Sequence, residues 1–465
     1  MKVLQTVVPT PEQLRVIQDA KPGVTLIRGA AGSGKTTTAL LRLSLLAEFW
    51  RSRRRREQLK EPVRVLVLTY NRTLRGYIME LADRQVSGGT DLDLTVSTFG
   101  KWSRSLLPDL SMVQSREHHI RVLGTRVPLT ERFLNNEIDY VLGRFMPENL
   151  EEYLTCKREQ RGRSPRVDRS LRELILSDVV RPYLEWKNER RQVDWDDLAV
   201  ALSRKRMDKP YDVIVADEAQ DFSANEVRAL LNHLAQDHSL TFVLDAAQRI
   251  YPKTFQWAEV GVSLQASQVY HLKRNYRNTK EIAAFAKPII EGLEISDDGA
   301  LPDFESCTSS GPKPQVVRGS YSAQMTYIIR FIQRFVDLRS ESVGFLHPKG
   351  GEWFSYTKDR LSQAGIGFID IAGMEEWPVG PTNVALSTLH SAKGLEFDHV
   401  FIIGLNREAT PVGQGQDDAE LDNLRRLVAM GAGRARRSVT VSFKAADASD
   451  VVRFFRAGTY DAVDL

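Results

Sequence analysis

Two cysteines in 465 residues, Cys156 and Cys307, are too few for a disulfide scaffold or a four-cysteine zinc site. A reducing compartment follows, and the opening MKVLQTVVPTPEQ has neither the apolar core nor the cleavage pattern of a signal peptide, so a cytoplasmic protein is expected. No uninterrupted apolar run approaches the ~18 residues of a membrane span, so no membrane partner is expected. Charge of one sign is scarce as well. The 64 Lys and Arg residues against 60 Asp and Glu leave a net +4, a bias that suits a polyanion partner without demanding one. There is no internal repeat and no long low-complexity tract. With 42% apolar and 27% charged residues, the chain is not a mainly disordered one.

What is present is alternation. At about 150 residues per unit the length suggests roughly three units. Val24–Ile27, Val63–Thr69, Leu94–Ser97, Val213–Ala216 and Thr241–Leu244 read as buried strands between helical stretches, and Val343–Leu346 and Val400–Ile403 continue the pattern. Residues 103–205 differ, with Arg, Glu and Leu at helical spacing and few β-branched runs. The segment 293–315 reads as a loop. Strands alternating with helices predict an α/β chain with doubly wound parallel sheets. The predicted division is a first unit over 1–275 with a helical insertion at 103–205, and a second unit over 276–465.

Two segments carry chemistry. Gly29-Ala30-Ala31-Gly32-Ser33-Gly34-Lys35-Thr36 is a G-x-x-x-x-G-K-T loop between a strand and a helix, the context a phosphate-binding loop requires. Its glycines allow close backbone approach, and the N–H groups of the following helix, Thr37 included, face an anion. Lys35 would reach the β- and γ-phosphates and Thr36 would hold Mg²⁺. In Tyr211–Phe222, YDVIVADEAQDF, an apolar strand delivers acids at its C-terminal end. Asp217 would complete the Mg²⁺ shell, and Glu218 would orient and deprotonate the attacking water. The pair predicts nucleotide hydrolysis with Mg²⁺, without saying what work hydrolysis drives.

At Asp217-Glu-Ala-Gln-Asp221 the chain resembles the UvrD/Rep-type superfamily 1 helicases, and the resemblance runs in order along nearly the whole length. It implies an ATP hydrolase, with two RecA-like motor domains around one ATP. Thr10-Pro-Glu-Gln13 resembles the segment in which Gln13 reads adenine; the same four residues also form a helix capping box. Leu68-Thr-Tyr70-Asn71-Arg72 and Ser97-Thr98-Phe99 resemble two single-strand contact segments, although core packing accounts for Phe99 equally well. Leu244–Tyr251 resembles the coupling motif, with Gln248 sensing the γ-phosphate and Tyr251 or the later Trp257 meeting DNA. In Asn275-Tyr276-Arg277-Asn278 the resemblance puts Tyr276 on adenine and Arg277 on the γ-phosphate. In Leu389–Phe397 it turns His390, Ser391 and Lys393 toward DNA and Glu396 toward the ribose. Arg426–Arg436 places Arg434 on the arginine finger, and Gly433 stands where the family usually has Thr.

The resemblance implies an ATP-dependent translocase on single-stranded DNA or single/double-strand junctions, moving 3′ to 5′, in DNA repair, recombination or anti-phage defence. Its alternative is a DNA-sensing ATPase subunit that regulates a partner effector such as a nuclease. Between Arg277 and His390 the second unit needs most of the chain for its own fold, so the family's large second insertion is expected to be absent or reduced. The run Arg51-Ser-Arg-Arg-Arg-Arg56 reads either as a solvated loop or as a phosphate contact.

Overall fold

A computed structural model describes residues 9–29, 32–69, 91–156, 166–206, 208–244, 255–263, 268–272, 275–293, 307–372, 374, 378, 380–410 and 419–465. Two parallel sheets organise the chain. The first contains β1 (Gly23–Gly29), β2 (Val63–Thr69) and β3 (Leu92–Thr98). Two short strands, β4 (Ser111–Met112) and β5 (Gln192–Val193), pair only with each other. The first sheet resumes with β6 (Tyr211–Ala216), β7 (Leu234–Leu244) and β8 (Val269–Leu272), in the order β3-β2-β6-β7-β1-β8. β9 (Asn275–Thr279) pairs with β10 (Cys307–Ser309). The second sheet takes β11 (Gln315–Arg318), β12 (Val343–His347), β13 (Ile369–Asp370), β14 (Val384–Thr388), β15 (Phe397–Ile402), β16 (Ala435–Phe443) and β17 (Asp461–Asp464). Its order is β13-β14-β12-β15-β16-β11-β17.

Every strand expected from β-branched and apolar runs forms; inner strands such as β6 and β12 are buried on both faces, as parallel sheets require, while the edge strand β3 is buried only toward its end. Side chains alternate. Ile27, Val65, Val67, Val213, Val215 and Val243 meet the helix Lys35–Arg56 through Ala39, Leu43, Leu46 and Trp50. Leu26, Leu66, Leu68, Ile214 and Phe242 face Phe99, Trp102, Leu202, Phe222 and Leu230 on the other side. The second sheet repeats this with Phe345, Leu386 and Phe401 on one face and Leu346, Ile402 and Val441 on the other.

Between β3 and β6 the chain is helical. Its helices include Arg116–Leu123, Glu131–Arg144, Arg181–Arg190 and Trp195–Arg204. Residues from Ile120 to Tyr183 close a core of their own. Part of the expected 293–315 loop is ordered as β10 and the start of β11, while 294–306 lies outside the described residues.

Parallel order concentrates the motifs on one edge, since all strands of a sheet end on the same side. Along the first sheet, β3 and β2 end in the segments that resemble strand contacts. β6, β7 and β1 end in the acids, the coupling segment and the phosphate loop, with Ala216 beside Phe242 and Arg28 beside Leu244. One sheet thus offers two adjacent zones.

Candidate nucleotide and nucleic-acid site

The phosphate loop is built by two left-handed glycines, Gly32 at φ 79° and Gly34 at φ 75°, conformations costly for any residue with a Cβ. A Cβ on Gly29 would lie 2.5 Å from Ser33 Oγ, and one on Gly34 would lie 2.6 Å from Gln13 Nε2. Gly34 caps the helix Lys35–Arg56 without a side-chain acceptor, so the first amides of a 22-residue helix face the loop. Such an N-terminus favours an anion. Gln13 is buried behind it. Its Oε1 accepts from the Thr10 amide at 2.9 Å, completing the capping box, and its Nε2 donates to the Ser33 carbonyl at 3.1 Å. The glutamine braces the loop by these bonds.

Thr36 Oγ1 donates to Asp217 Oδ2 at 2.9 Å, joining the loop to the end of β6. These two oxygens form a hard donor pair suited to Mg²⁺, and the glycine cradle suits a phosphate chain. Burial, then the neighbouring Glu218 charge, push the Asp217 carboxyl up to about 7 against the pull of Thr36 and Lys35. Glu218 sits at φ 54°, in the left-handed region. Backbone strain of this kind costs ~1–2 kcal/mol and persists where surroundings enforce it.

Glu218 is the point of convergence. Burial raises its pKa, but Lys393, Arg434 and Lys35 outweigh that, and the net direction is down. Lys35 comes from the first sheet; Lys393 and Arg434 come from the second. Lys393 Nζ lies 3.3 Å from Glu218 Oε2 and bonds Asp221 Oδ2, and the lysine is 2% exposed. Gln220 Nε2 also donates to Glu218 Oε2. Lys393 therefore faces the carboxylates, and its ammonium is not presented to a strand. Arg434 is buried, with Nε 3.2 Å from Met430 Sδ.

Asn278 holds that arginine in place. Its Nδ2 donates to the carbonyls of Gly433 at 3.1 Å and Ala435 at 2.6 Å, gripping the chain on both sides of Arg434. Since Arg277 precedes Asn278 in β9, the same grip fixes both arginine-bearing segments together. Glu396 is clamped by Arg436, whose Nη2 donates to Oε2 at 2.8 Å. Asn278, Gln220, Asp221 and Arg436 were not among the expected site residues. All four stand inside quoted motifs, and that was the available signal.

On the strand-contact side, Thr98 Oγ1 accepts from the Lys101 amide at 3.3 Å and caps the helix Phe99–Leu106. Phe99 is 5% exposed, with Trp102 and Phe222 edge-on at 5.5 and 6.3 Å, so its ring is a core ring with no face for a base. The half-buried Trp257 leans on Phe242 at 4.7 Å and on Phe255 at 5.5 Å. Ser391 accepts from Thr388 Oγ1 at 3.0 Å. His390 is pushed down to about 4 by burial and then by Arg132 and Lys393, so it is neutral near pH 7. Among the exposed aromatics outside the sequence reading, one adjoins this segment. Trp195 is 52% exposed, and its ring lies 3.4 Å from where a Cβ on Gly100 would sit. It is held by the capping box of Asp194 and Asp197, with Lys187 Nζ 3.0 Å from Asp194 Oδ2. Ala30, Ala31, Tyr70, Asn71, Arg72, Gln248 and Tyr251 lie outside the described residues, as do the side chains of Tyr276 and Arg277.

The arginine run is the end of the helix Lys35–Arg56 and no loop. Arg51 meets Asp91 at 3.0 Å, Arg53 meets Asp237 at 2.5 Å, Arg54 meets Asp212 at 2.6 Å, and Arg55 meets Asp91 at 3.3 Å. The helix starts at the C-terminal end of β1 and runs back, so these pairs lie at the opposite edge of the sheet from the phosphate loop. Among the described residues no helix is long and apolar enough to cross a membrane.

Comparison with known proteins agrees with this geometry. The chain matches the AAA domain over residues 13–254 and the UvrD-like helicase C-terminal domain over 372–446. It is 30% identical over 113 residues to DNA helicase II of Haemophilus influenzae, 24% of this chain and 15% of that protein. It is 26% identical over 205 residues to a probable DNA helicase of Mycoplasma pneumoniae, 43% of this chain and 36% of that protein. A third match, 30% over 138 residues, is to the exonuclease/helicase subunit RexA of Lactococcus lactis, 26% of this chain and 11% of that protein. The chain thus spans only a part of each relative's length. With the first family model covering more than half its residues and the second covering the segment of Lys393 and Arg434, the chain belongs to the UvrD/Rep-like superfamily 1 helicases.

Proposed function

We propose that the chain is an ATP-driven motor that steps along single-stranded DNA, 3′ to 5′, with motor units over 1–275 and 276–465 and a helical insertion at 103–205. The observation that carries this is the convergence of Lys35 with Lys393 and Arg434 on Glu218, which needs both sheets. Thr36 and Asp217 would hold Mg²⁺, which would neutralise charge on the bound phosphates. Gly29 to Thr37 would cradle the phosphates, and Gln13, Tyr276 and Glu396 would hold the nucleoside. Glu218 would orient the attacking water. Arg277 and Arg434 would stabilise charge spread over the transferring phosphoryl group. Gln248 would report the γ-phosphate to the strand side.

Because cations from the second sheet act on a carboxylate of the first, hydrolysis depends on how the two units sit together. A change in that arrangement is a change in grip. Tyr70, Asn71, Arg72, Thr98, Tyr251, Trp257, His390 and Ser391 remain the proposed strand contacts, joined by Trp195. Lys393 moves to the nucleotide side. Phe99 supports the segment from within the core.

The test is steady-state ATP turnover with and without single-stranded DNA, with Glu218→Gln as the blank. The expected result is strong stimulation, and a decrease of about 10³-fold in the variant. Turnover indifferent to DNA would unseat the motor reading. The RexA likeness favours one second reading, a DNA-responsive subunit working beside a nuclease. Stimulated turnover without displacement of a duplex strand by the purified chain would select it.

A further inference from the structure

We propose that Trp353, with Lys349 above it, is a base-stacking contact for single-stranded DNA on the second sheet. It rests on the DNA-motor reading and adds a site that no expected motif contains.

β12 ends at His347, and the chain turns sharply through Gly350 and Gly351 at φ 70° and 61°. Both the Lys349 and Gly350 amides donate to His347 Nδ1 at 3.0 Å, which puts the ring proton on Nε2. The imidazole is 2% exposed and held neutral, with burial and then Lys349 pushing it down to about 4. On this fixed ring Trp353 stacks, with centroids 5.5 Å apart and planes 25° apart. Lys349 Nζ lies 5.0 Å from the indole centroid, and it also donates to the Glu408 carbonyl at 3.2 Å.

Trp353 is 39% exposed, and the next residue, Phe354, is fully buried and supplies the core contact of this turn. Part of the indole is thus open to solvent while its ring is held against a rigid partner. A flat ring kept in place at the surface beside a cation is what sequence-tolerant base stacking requires.

Its position fits. His347 and Thr388 are partners in the β12–β14 register, and the Leu389 amide donates to the His347 carbonyl at 3.0 Å. A Cβ on Gly350 would lie 2.5 Å from Thr388 Cγ2. Trp353 thus adjoins the turn of His390 and Ser391. Lys444, ion-paired to Glu408 at 2.8 Å, follows the end of β16 on the same edge. Trp195, on its helix against Gly100 just past the end of β3, and Trp353, just past the end of β12, would each hold a base, one on each motor unit.

The experiment measures binding of a fluorescent oligothymidylate by anisotropy for the whole chain, Trp353→Ala, Trp353→Phe and Lys349→Ala, across a salt series. A fluorescent ATP analogue reports on the intact nucleotide site. Trp353→Ala should weaken DNA binding about tenfold at unchanged nucleotide affinity, with Trp353→Phe restoring most of the affinity. Lys349→Ala should also reduce the salt slope, by roughly 0.7 for each phosphate that the variant no longer neutralises. Quenching of tryptophan emission on DNA binding should be smaller in Trp353→Phe, a readout independent of affinity. Wild-type binding with Trp353→Ala equal to it and quenching unaltered in Trp353→Phe would overturn the inference alone. Absence of DNA binding by the wild type would overturn the motor reading and this site together.

Discussion

Two concentrations of positive charge in this chain behave in opposite ways. Arg51 to Arg56 is the most conspicuous basic run in the sequence, yet four of its arginines are paired with Asp91, Asp212 and Asp237 at the sheet edge remote from the phosphate loop. Lys393 is one residue in an otherwise modest segment, and it is buried between Glu218 and Asp221 where the two sheets meet. The run ties a helix end to its own sheet. The single lysine ties the second sheet to the proposed catalytic carboxylate. A charge matters by what it faces when desolvated, since interactions there are screened far less than at the surface.

The sharpest way to break this comparison is Lys393→Ala. It leaves Glu218 and Asp221 buried without their shared cation, and removing one partner of a buried pair strands the other's charge. DNA-stimulated ATP turnover should fall about 10²-fold, while Arg53→Ala should leave turnover within about twofold. Equal turnover in Lys393→Ala and the wild type would remove the lysine from the catalytic arrangement.

The sequence and the structure part company along the same line. The inner strands were legible because their centres are apolar runs buried on both faces, as in Val213–Ala216, and period and burial are local properties. The phosphate loop was legible because a glycine at φ 75° and an uncapped helix start leave fixed letters behind. The partners of the arginine run were not, since Asp91, Asp212 and Asp237 are brought to it only by the order β3-β2-β6-β7. Phe99 reads equally as core or contact in the sequence, and only its packing against Trp102 and Phe222 decides it. The motif neighbours of Lys393 turn it toward DNA, whereas its direction is set by a carboxylate 172 residues away.

Asn278→Ala sharpens the comparison from the other side of the site. Its two Nδ2 bonds flank Arg434, so their removal frees the segment without touching a charge. Turnover should fall about tenfold with nucleotide affinity unchanged, because positioning is impaired while the binding loop is intact. A parallel drop in affinity for a fluorescent ATP analogue would instead mark Asn278 as a support of the whole nucleotide site.

The smallest effect belongs to the run itself. Arg54 donates two hydrogen bonds to Asp212 at 2.8 and 2.6 Å, and Asp212 also accepts from the Arg64 amide at 2.8 Å. Arg54→Ala removes the charge partner of a carboxylate that is only 6% exposed, so the stability of the first unit should drop by about 1 kcal/mol in urea unfolding. The salt dependence of DNA binding should not move, because an arginine already neutralised by a carboxylate releases no counterion from a phosphate. Arg53, at the surface with Asp237 and Glu57, serves as the internal control and should leave both measurements where they were. A flatter salt slope in Arg54→Ala would mean that the run exchanges its carboxylates for phosphates when DNA arrives. In that case the contrast with Lys393 would be one of timing, with the run free to serve the strand only after letting go of its own sheet.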